Sequence, residues 1–372
     1  GERAGLYSTL ILATTAGWLA YSRTGVTDLP LAVSFSAAML VALPWLARGE
    51  ATGLGWSAAL LGLAVLAKGF VALVLALPLL WMGRRGWRAW LRPGPVVCFL
   101  AVAAPWYLFV SLRYGSAFWQ EFLLEHHFAR IYADRLQHVQ PWWFYLPVLA
   151  TGLFPWTPLA ALLARRQLYR DLRVRFLLAW TLFGLAFFSL VRNKLPGYLL
   201  PLLPALCALI GVALDRAERV RWTLAASALL LALVPLAAGV LPSALEVGIR
   251  KAQWPEWPWS AMAAALPLAA WCWWWGRVRK ELALAAIAAG VAAAVLWVSP
   301  TTLDTLDRHV SVRSFWRETQ GLAATCCLEG VDRERRYGLS YYAGRALPDC
   351  GQQPAPCRIR QRPGHTLQIA EQ

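Results

Sequence analysis

Long apolar runs alternate with short polar breaks along most of the chain. The runs fall at about 4–22, 29–46, 53–67, 69–82, 94–112, 142–163, 176–191, 195–214, 222–242, 259–276 and 281–299. Most approach the roughly 20 apolar residues a helix needs to cross a hydrocarbon core of about 30 Å. The third and fourth are shorter, and between them Ala67-Lys68-Gly69 sets a charge and a glycine in apolar surroundings. A charge in lipid is costly unless it sits at an interface or in a cavity, so the pattern predicts two short helices meeting at Lys68. Residues 1–299 are therefore expected to form an all-α polytopic membrane domain. From residue 300 the chain turns polar and predicts a small α/β unit over 300–372. A helix is expected there near 311–325, a strand near 337–342 and another near 357–361.

Composition agrees with the pattern. Hydrophobic residues make up 59% of the chain and charged residues 15%, against about 45–50% and about 25% in soluble domains. Many of the 22 tryptophans flank the apolar runs, among them Trp45, Trp81, Trp142, Trp143, Trp222 and Trp259. Amphipathic rings collect in this way at bilayer interfaces.

The formal charge of +16 changes the picture only through its distribution. The cations fall in short clusters between apolar runs instead of along one soluble face, which argues against a nucleic-acid partner. Arg84, Arg85, Arg88 and Arg92 form one cluster, and Arg165, Arg166, Arg170, Arg173 and Arg175 a second. Arg216, Arg219 and Arg221 form a third, and Arg277, Arg279 and Lys280 a fourth. They occupy every second connection, so the positive-inside rule puts them all in the cytoplasm. The connections 113–141, 192–194 and 243–258, and the tail from 300, then lie outside. The chain opens on Gly1 without Met or signal peptide and reads as a piece of a longer protein.

This topology gathers the unusual polar residues on one face: Asp28, Lys68, His126, His127, Arg130, Arg192, Lys194 and Tyr198. Asp28 precedes an apolar helix, where Asp or Thr is a favoured cap and Pro30 suits a first turn; an acidic catalytic role is compatible with capping. Lys68 is either a snorkelling lysine with Gly69 as helix cap or a cation for a lipid-linked phosphate. Arg192 and Lys194 share a tight turn on the less basic side, where a bound anion would account for two cations. His126, His127 and Arg130 lie in 113–141, whose aromatic spacing predicts amphipathic helices on the outer surface. Adjacent histidines point in different directions on a helix, so at most one of the two faces a site. No cofactor motif is visible, and no metal is expected at these residues.

Cys98, Cys207 and Cys272 lie in apolar runs and read as packing residues. Cys326, Cys327, Cys350 and Cys357 share the outer tail, where they allow two disulfides in any of three pairings, with zinc as the alternative.

Four strings carry a family likeness: Leu66-Ala67-Lys68-Gly69, Gln140-Pro141-Trp142-Trp143-Phe144-Tyr145-Leu146-Pro147, Phe154-Pro155-Trp156 and Lys194-Leu195-Pro196-Gly197-Tyr198. Together they resemble the bacterial aminoarabinose transferases that act on lipid A, and the wider protein O-mannosyltransferase-like glycosyltransferases. The resemblance implies a GT-C fold in the bacterial inner membrane, with the active face periplasmic. It implies a polyprenyl-phosphate-linked sugar as donor and a lipid A-like glycolipid or other glycan as acceptor, with inversion at the anomeric carbon. It makes Asp28 the family's second acidic position and puts Lys194 and Tyr198 in the site, with a looser match for His126, His127 and Arg130. The family pattern begins with a further helix, a long outer loop bearing an acidic motif, and a second helix. This sequence opens after them, so it is expected to be inactive as it stands. A transporter of lipid-linked sugars and a non-catalytic scaffold are the competing readings. The first would more often show internal repeats and midplane charges, neither of which is visible.

Overall fold

The computed structural model describes residues 1–120, 140–249, 251–305, 307, 311–319, 321–361 and 367–371. Among them, seven helices are long and apolar enough to cross a membrane, or eight if one bent pair counts as a span. The chain is a multi-pass membrane protein. It divides into two compact units, residues 1–230 with 267–288, and residues 231–266 with 289–372.

The first unit is built on helices whose ends alternate. Asp28–Val41 continues into Leu43–Arg48, and Leu54–Lys68 returns. Leu172–Leu190 and then Pro196–Leu202 with Leu203–Arg216 form the next pair. The Pro196–Arg216 span is the centre of the unit, 83% buried over its most apolar window. Pro93–Trp119 is its opposite, only 6% buried. Several polar side chains inside the bundle are tied to backbone carbonyls, which satisfies them away from water, whereas the buried Ser36 and Ser227 hydroxyls find no partner among the described residues. Ser57 Oγ donates to Ala38 O at 2.7 Å, and Trp180 Nε1 donates to Pro201 O at 3.1 Å. Trp180 also meets Phe35 edge to face at 5.4 Å.

Lys68 does end one helix and precede another. Leu54–Lys68 stops at Gly69, whose φ of +74° suits glycine, and the short helices Val71–Leu75 and Leu77–Met82 follow. The run at 142–163 departs from the expectation of one span. It forms Tyr145–Gly152 and the 3-10 helix Thr157–Ala164, bent by 110°. The Phe154–Pro155 peptide at the bend is cis, and Pro155 and Pro158 lack the amide hydrogens a continuous helix needs.

The basic connections gather at one end of this unit. Arg48 pairs with Glu50, Arg216 with Asp171 at 3.0 Å, and Lys280 Nζ donates to Leu214 O and Asp215 O at 2.7 and 2.8 Å. The last pair satisfies carbonyls left open at a helix C-terminus.

In the second unit, the polar tail carries a three-stranded sheet in the order β1 (Cys327–Glu329), β2 (Cys357–Gln361), β3 (Leu367–Glu371). The β1–β2 pair is parallel and the β2–β3 pair antiparallel. Its core holds Ala323, Leu328, Leu339, Leu347 and Ile359. Disulfides join Cys326 to Cys357 and Cys327 to Cys350, one of the three pairings the sequence left open. The strand expected near 337–342 is instead part of the helix Arg333–Ala343, which ends at Gly344 with φ +66°. Tyr337, Tyr341 and Tyr342 favour strands by propensity, but Leu339 alone is fully buried in this helix. A helix needs only that one point of attachment to the small core.

Candidate functional site

At the end away from the basic connections, Lys68 sits where three spans meet. Its ammonium forms an ion pair with the Asp28 carboxylate and lies 4.7 Å from the centre of the Tyr198 ring. Asp28 comes from the start of Asp28–Val41, Lys68 from the end of Leu54–Lys68, and Tyr198 from the 3-10 helix Pro196–Leu202. Both charged side chains are mostly withdrawn from solvent, at 19% exposure for Lys68 and 15% for Asp28. Capping does not account for Asp28. Thr27 is the capping residue and makes no side-chain cap bond, while the Asp28 carboxylate holds Lys68.

Lys194 is 5% exposed and donates from Nζ to Gln140 O at 3.0 Å. Burial pushes its pKa below the ordinary lysine value, because a desolvated ammonium disfavours the charged form. A bound anion would offset that penalty. Gln140 N in turn donates to Arg192 O at 3.4 Å, so the polypeptide at 140 is docked on the 192–194 turn. Arg192 itself is exposed. His126, His127 and Arg130 lie outside the described residues, as does most of the surface helix expected in 113–141.

Three further residues shape the site without having been singled out from the sequence. Gln140 supplies the acceptor for Lys194. Tyr145 is buried and donates from its hydroxyl to Leu195 O at 3.3 Å, fixing the turn from beneath. Tyr21 lies against Gly197 so closely that a Cβ there would stand 2.9 Å from the ring. The signals were Gln140 and Tyr145 inside one aromatic string and Gly197 inside Leu195-Pro196-Gly197-Tyr198. Tyr21 had none. An apolar cavity of about 240 Å³ opens beside this turn, lined by Gly17, Tyr21, Leu149, Pro196 and Leu200. Among the described residues no three His, Cys, Asp or Glu side chains are grouped to hold a metal ion.

The site thus pairs recessed cations with an adjoining apolar space, a combination suited to an amphiphile with an anionic head. No family model matches the chain. It is 39% identical over 232 residues to an undecaprenyl phosphate-alpha-4-amino-4-deoxy-L-arabinose arabinosyl transferase of Pseudomonas aeruginosa strain LESB58. That match covers 59% of this chain and 41% of the relative. A second such transferase, from Pseudomonas fluorescens strain Pf0-1, is 42% identical over 172 residues, 42% of this chain and 29% of the relative. The chain therefore spans less than half the length of these curated relatives. Among solved structures, ArnT from Cupriavidus metallidurans bound to undecaprenyl phosphate superposes with a TM-score of 0.74 at 23% identity. The superposition covers 97% of this chain and 74% of that one. The apo form gives a TM-score of 0.66 at 22% identity. The fold is the GT-C fold, with a small α/β unit at its C-terminal end.

Proposed function

We propose that this chain, a homologue of the undecaprenyl phosphate aminoarabinose transferases with their fold, is part of a membrane glycosyltransferase. In this reading the whole protein moves a sugar from polyprenyl phosphate to an acceptor in the cell envelope. The undecaprenyl phosphate aminoarabinose transferases among its relatives support that donor class, and the narrowest acceptor is lipid A. The work is done at the periplasmic face of the bacterial inner membrane, a reading supported by the alternation of basic connections, which puts Lys68 and Lys194 opposite the arginine clusters. The disulfides of the tail suit that compartment, since it is oxidising.

The reaction is a direct displacement. An acceptor oxygen attacks the anomeric carbon, a new C–O bond forms with inversion, and the bond to the polyprenyl phosphate breaks. The departing phosphate takes the electron pair, so negative charge grows on it in the transition state. Preorganised cations in a water-poor site stabilise such charge more than they stabilise the ground state. Lys68 and Lys194 are the candidates, with Arg192 at the rim. Asp28 keeps the Lys68 ammonium aimed, and Tyr198 covers its other side. An acceptor that is already an ionised phosphate needs no base, whereas a hydroxyl acceptor would need a carboxylate. The adjoining apolar cavity has the character needed by the first isoprene units of the carrier.

The observation that carries this reading is Lys68, recessed between Asp28 and Tyr198 at the end opposite the arginine clusters. The test is mass spectrometry of lipid A and envelope glycans from cells with the intact gene, without it, and with Lys68→Ala in it. A pentose-type addition should disappear in the deletion and in Lys68→Ala. An unchanged lipid A removes the aminoarabinose form of the reading. Envelope glycans that are unchanged as well remove the glycosyltransferase.

A further inference from the structure

The end of the first unit away from the site has its own combination of charge and apolar space. Leu54–Lys68, the pair Val71–Leu75 and Leu77–Met82, and the start of Pro93–Trp119 enclose a groove of about 430 Å³. Leu61, Leu73, Leu80, Trp90, Val96 and Phe99 line it. Every lining residue is apolar or aromatic. Counting a methylene as roughly the size of a water molecule in the liquid, about 30 Å³, the groove takes roughly fourteen of them, most of one acyl chain.

The groove runs up to the turn that carries Arg84, Arg85, Arg88 and Arg92. All four are exposed. Their turn is ordered: the 3-10 helix Trp87–Leu91 spans its middle, and Trp90 meets the ring of Trp45 edge to face at 5.7 Å. Trp45 also packs on Gly83, where a Cβ would stand 2.2 Å from its ring. Trp81 and Trp87 are exposed on either side, which sets the turn at interface depth. Three other cations at the same end are engaged by the protein. Arg216 holds Asp171, Lys280 holds helix-end carbonyls, and Arg221 lies over Trp273. Among the described residues no acidic side chain pairs with any of the four arginines of this turn.

We infer that this groove and turn form a binding site for an anionic phospholipid of the leaflet on the basic side, one acyl chain in the groove and the phosphate on Arg88 and Arg92. Topology alone explains why arginines occur in the connection. It does not explain an ordered turn displaying four of them above a chain-sized apolar slot. The charge selects the lipid: a zwitterionic headgroup brings its own cation and leaves the arginines uncompensated, whereas a phosphodiester with no amine neutralises them. The site is at the other end of the spans from Lys68, so it stands or falls independently of the proposed transferase chemistry.

Native mass spectrometry of the detergent-purified chain tests it, with phosphatidylglycerol and phosphatidylcholine of identical acyl chains as probes. The intact chain should retain phosphatidylglycerol at least about fivefold more than phosphatidylcholine. Arg88→Gln with Arg92→Gln should bring the two lipids to equal retention, while Arg88→Lys with Arg92→Lys keeps part of the preference. Leu73→Trp, which fills the slot, should reduce retention of both lipids. Each variant is compared only after gel filtration shows the same monodisperse peak as the parent. Equal retention of the two lipids by the parent overturns the inference. So does a preference untouched by the double glutamine variant, or a retention of both lipids untouched by Leu73→Trp. Saturation of the groove by a protein segment would show as weak retention of either lipid, and overturns it too.

Discussion

The ion pair of Lys68 with Asp28 should be measurable as a coupling energy. Replacing Lys68 by Met removes the cation but keeps most of the chain's volume, and leaves a carboxylate that is 15% exposed without its partner. Breaking a fully buried pair costs about 3–5 kcal/mol, and an exposed pair about 0–1 kcal/mol. At 19% and 15% side-chain exposure the pair lies nearer the buried limit. Lys68→Met is therefore expected to cost about 2–4 kcal/mol, including about 1 kcal/mol from the lost contact with Tyr198. Asp28→Asn keeps the shape and a hydrogen-bond acceptor, so about 1–3 kcal/mol is expected for it. Because both singles remove the same interaction, the double variant should be less destabilised than their sum by about 1.5–3 kcal/mol. Unfolding by SDS in mixed micelles, followed by tryptophan fluorescence, gives all four free energies. Strict additivity, a coupling below about 0.5 kcal/mol, would mean that solvent screens the pair. The placement of Lys68 as an aimed cation would then fail.

Two other outcomes follow from particular contacts. Gly197→Ala sets a methyl 2.9 Å from the Tyr21 ring, and overpacking of this kind costs about 1–3 kcal/mol; the same unfolding titration should show it, with recovery when Tyr21 is also shortened to Ala. In the tail, Arg360 and then Arg358 hold the Glu329 carboxyl below the ordinary glutamate pKa. A carboxyl lowered in the folded state adds stability that is complete above its unfolded pKa and is lost as pH falls through the folded one. Protease resistance of the tail should therefore decline in acid more steeply for the parent than for Glu329→Gln, and equal slopes would contradict this.

Seven of the eleven apolar runs coincide with helices long enough to cross a membrane, while those at 4–22, 69–82 and 259–276 form shorter helices. Hydropathy ranked the burial of the spans badly. Pro196–Arg216 and Pro93–Trp119 are about equally apolar, yet the first is mostly buried and the second scarcely at all. In a bilayer an apolar side chain is content against protein or lipid, so hydrophobicity does not tell the two apart. The bend at 152–157 was written in the sequence as Phe154-Pro155-Trp156, but read as part of one run because the run's length fitted a crossing. Charge alternation alone puts Asp28, Lys68 and Tyr198 on one face, and the contacts of Lys68 with the other two bring them together. Sidedness does not yield partners, however. The docking of Lys194 on Gln140 joins positions 54 residues apart, and Tyr21 against Gly197 joins still more distant ones; both depend on packing that periodicity leaves open. The helix at Arg333–Ala343 was missed for a related reason. Three tyrosines suggest a strand locally, and the deciding factor was the single buried Leu339.

The neighbouring cysteines at 326 and 327 have one more implication. Side chains of successive residues in extended chain leave on opposite faces, and here the two sulfurs depart to separate anchors at Cys357 and Cys350. Strands of three, five and five residues hold their alignment weakly by backbone bonding alone. A slip of β1 by one position would turn both thiols toward the wrong anchors and leave neither bond closable. Oxidation thus acts as a proofreader of strand alignment, and a tail made where thiols stay reduced would lose that check.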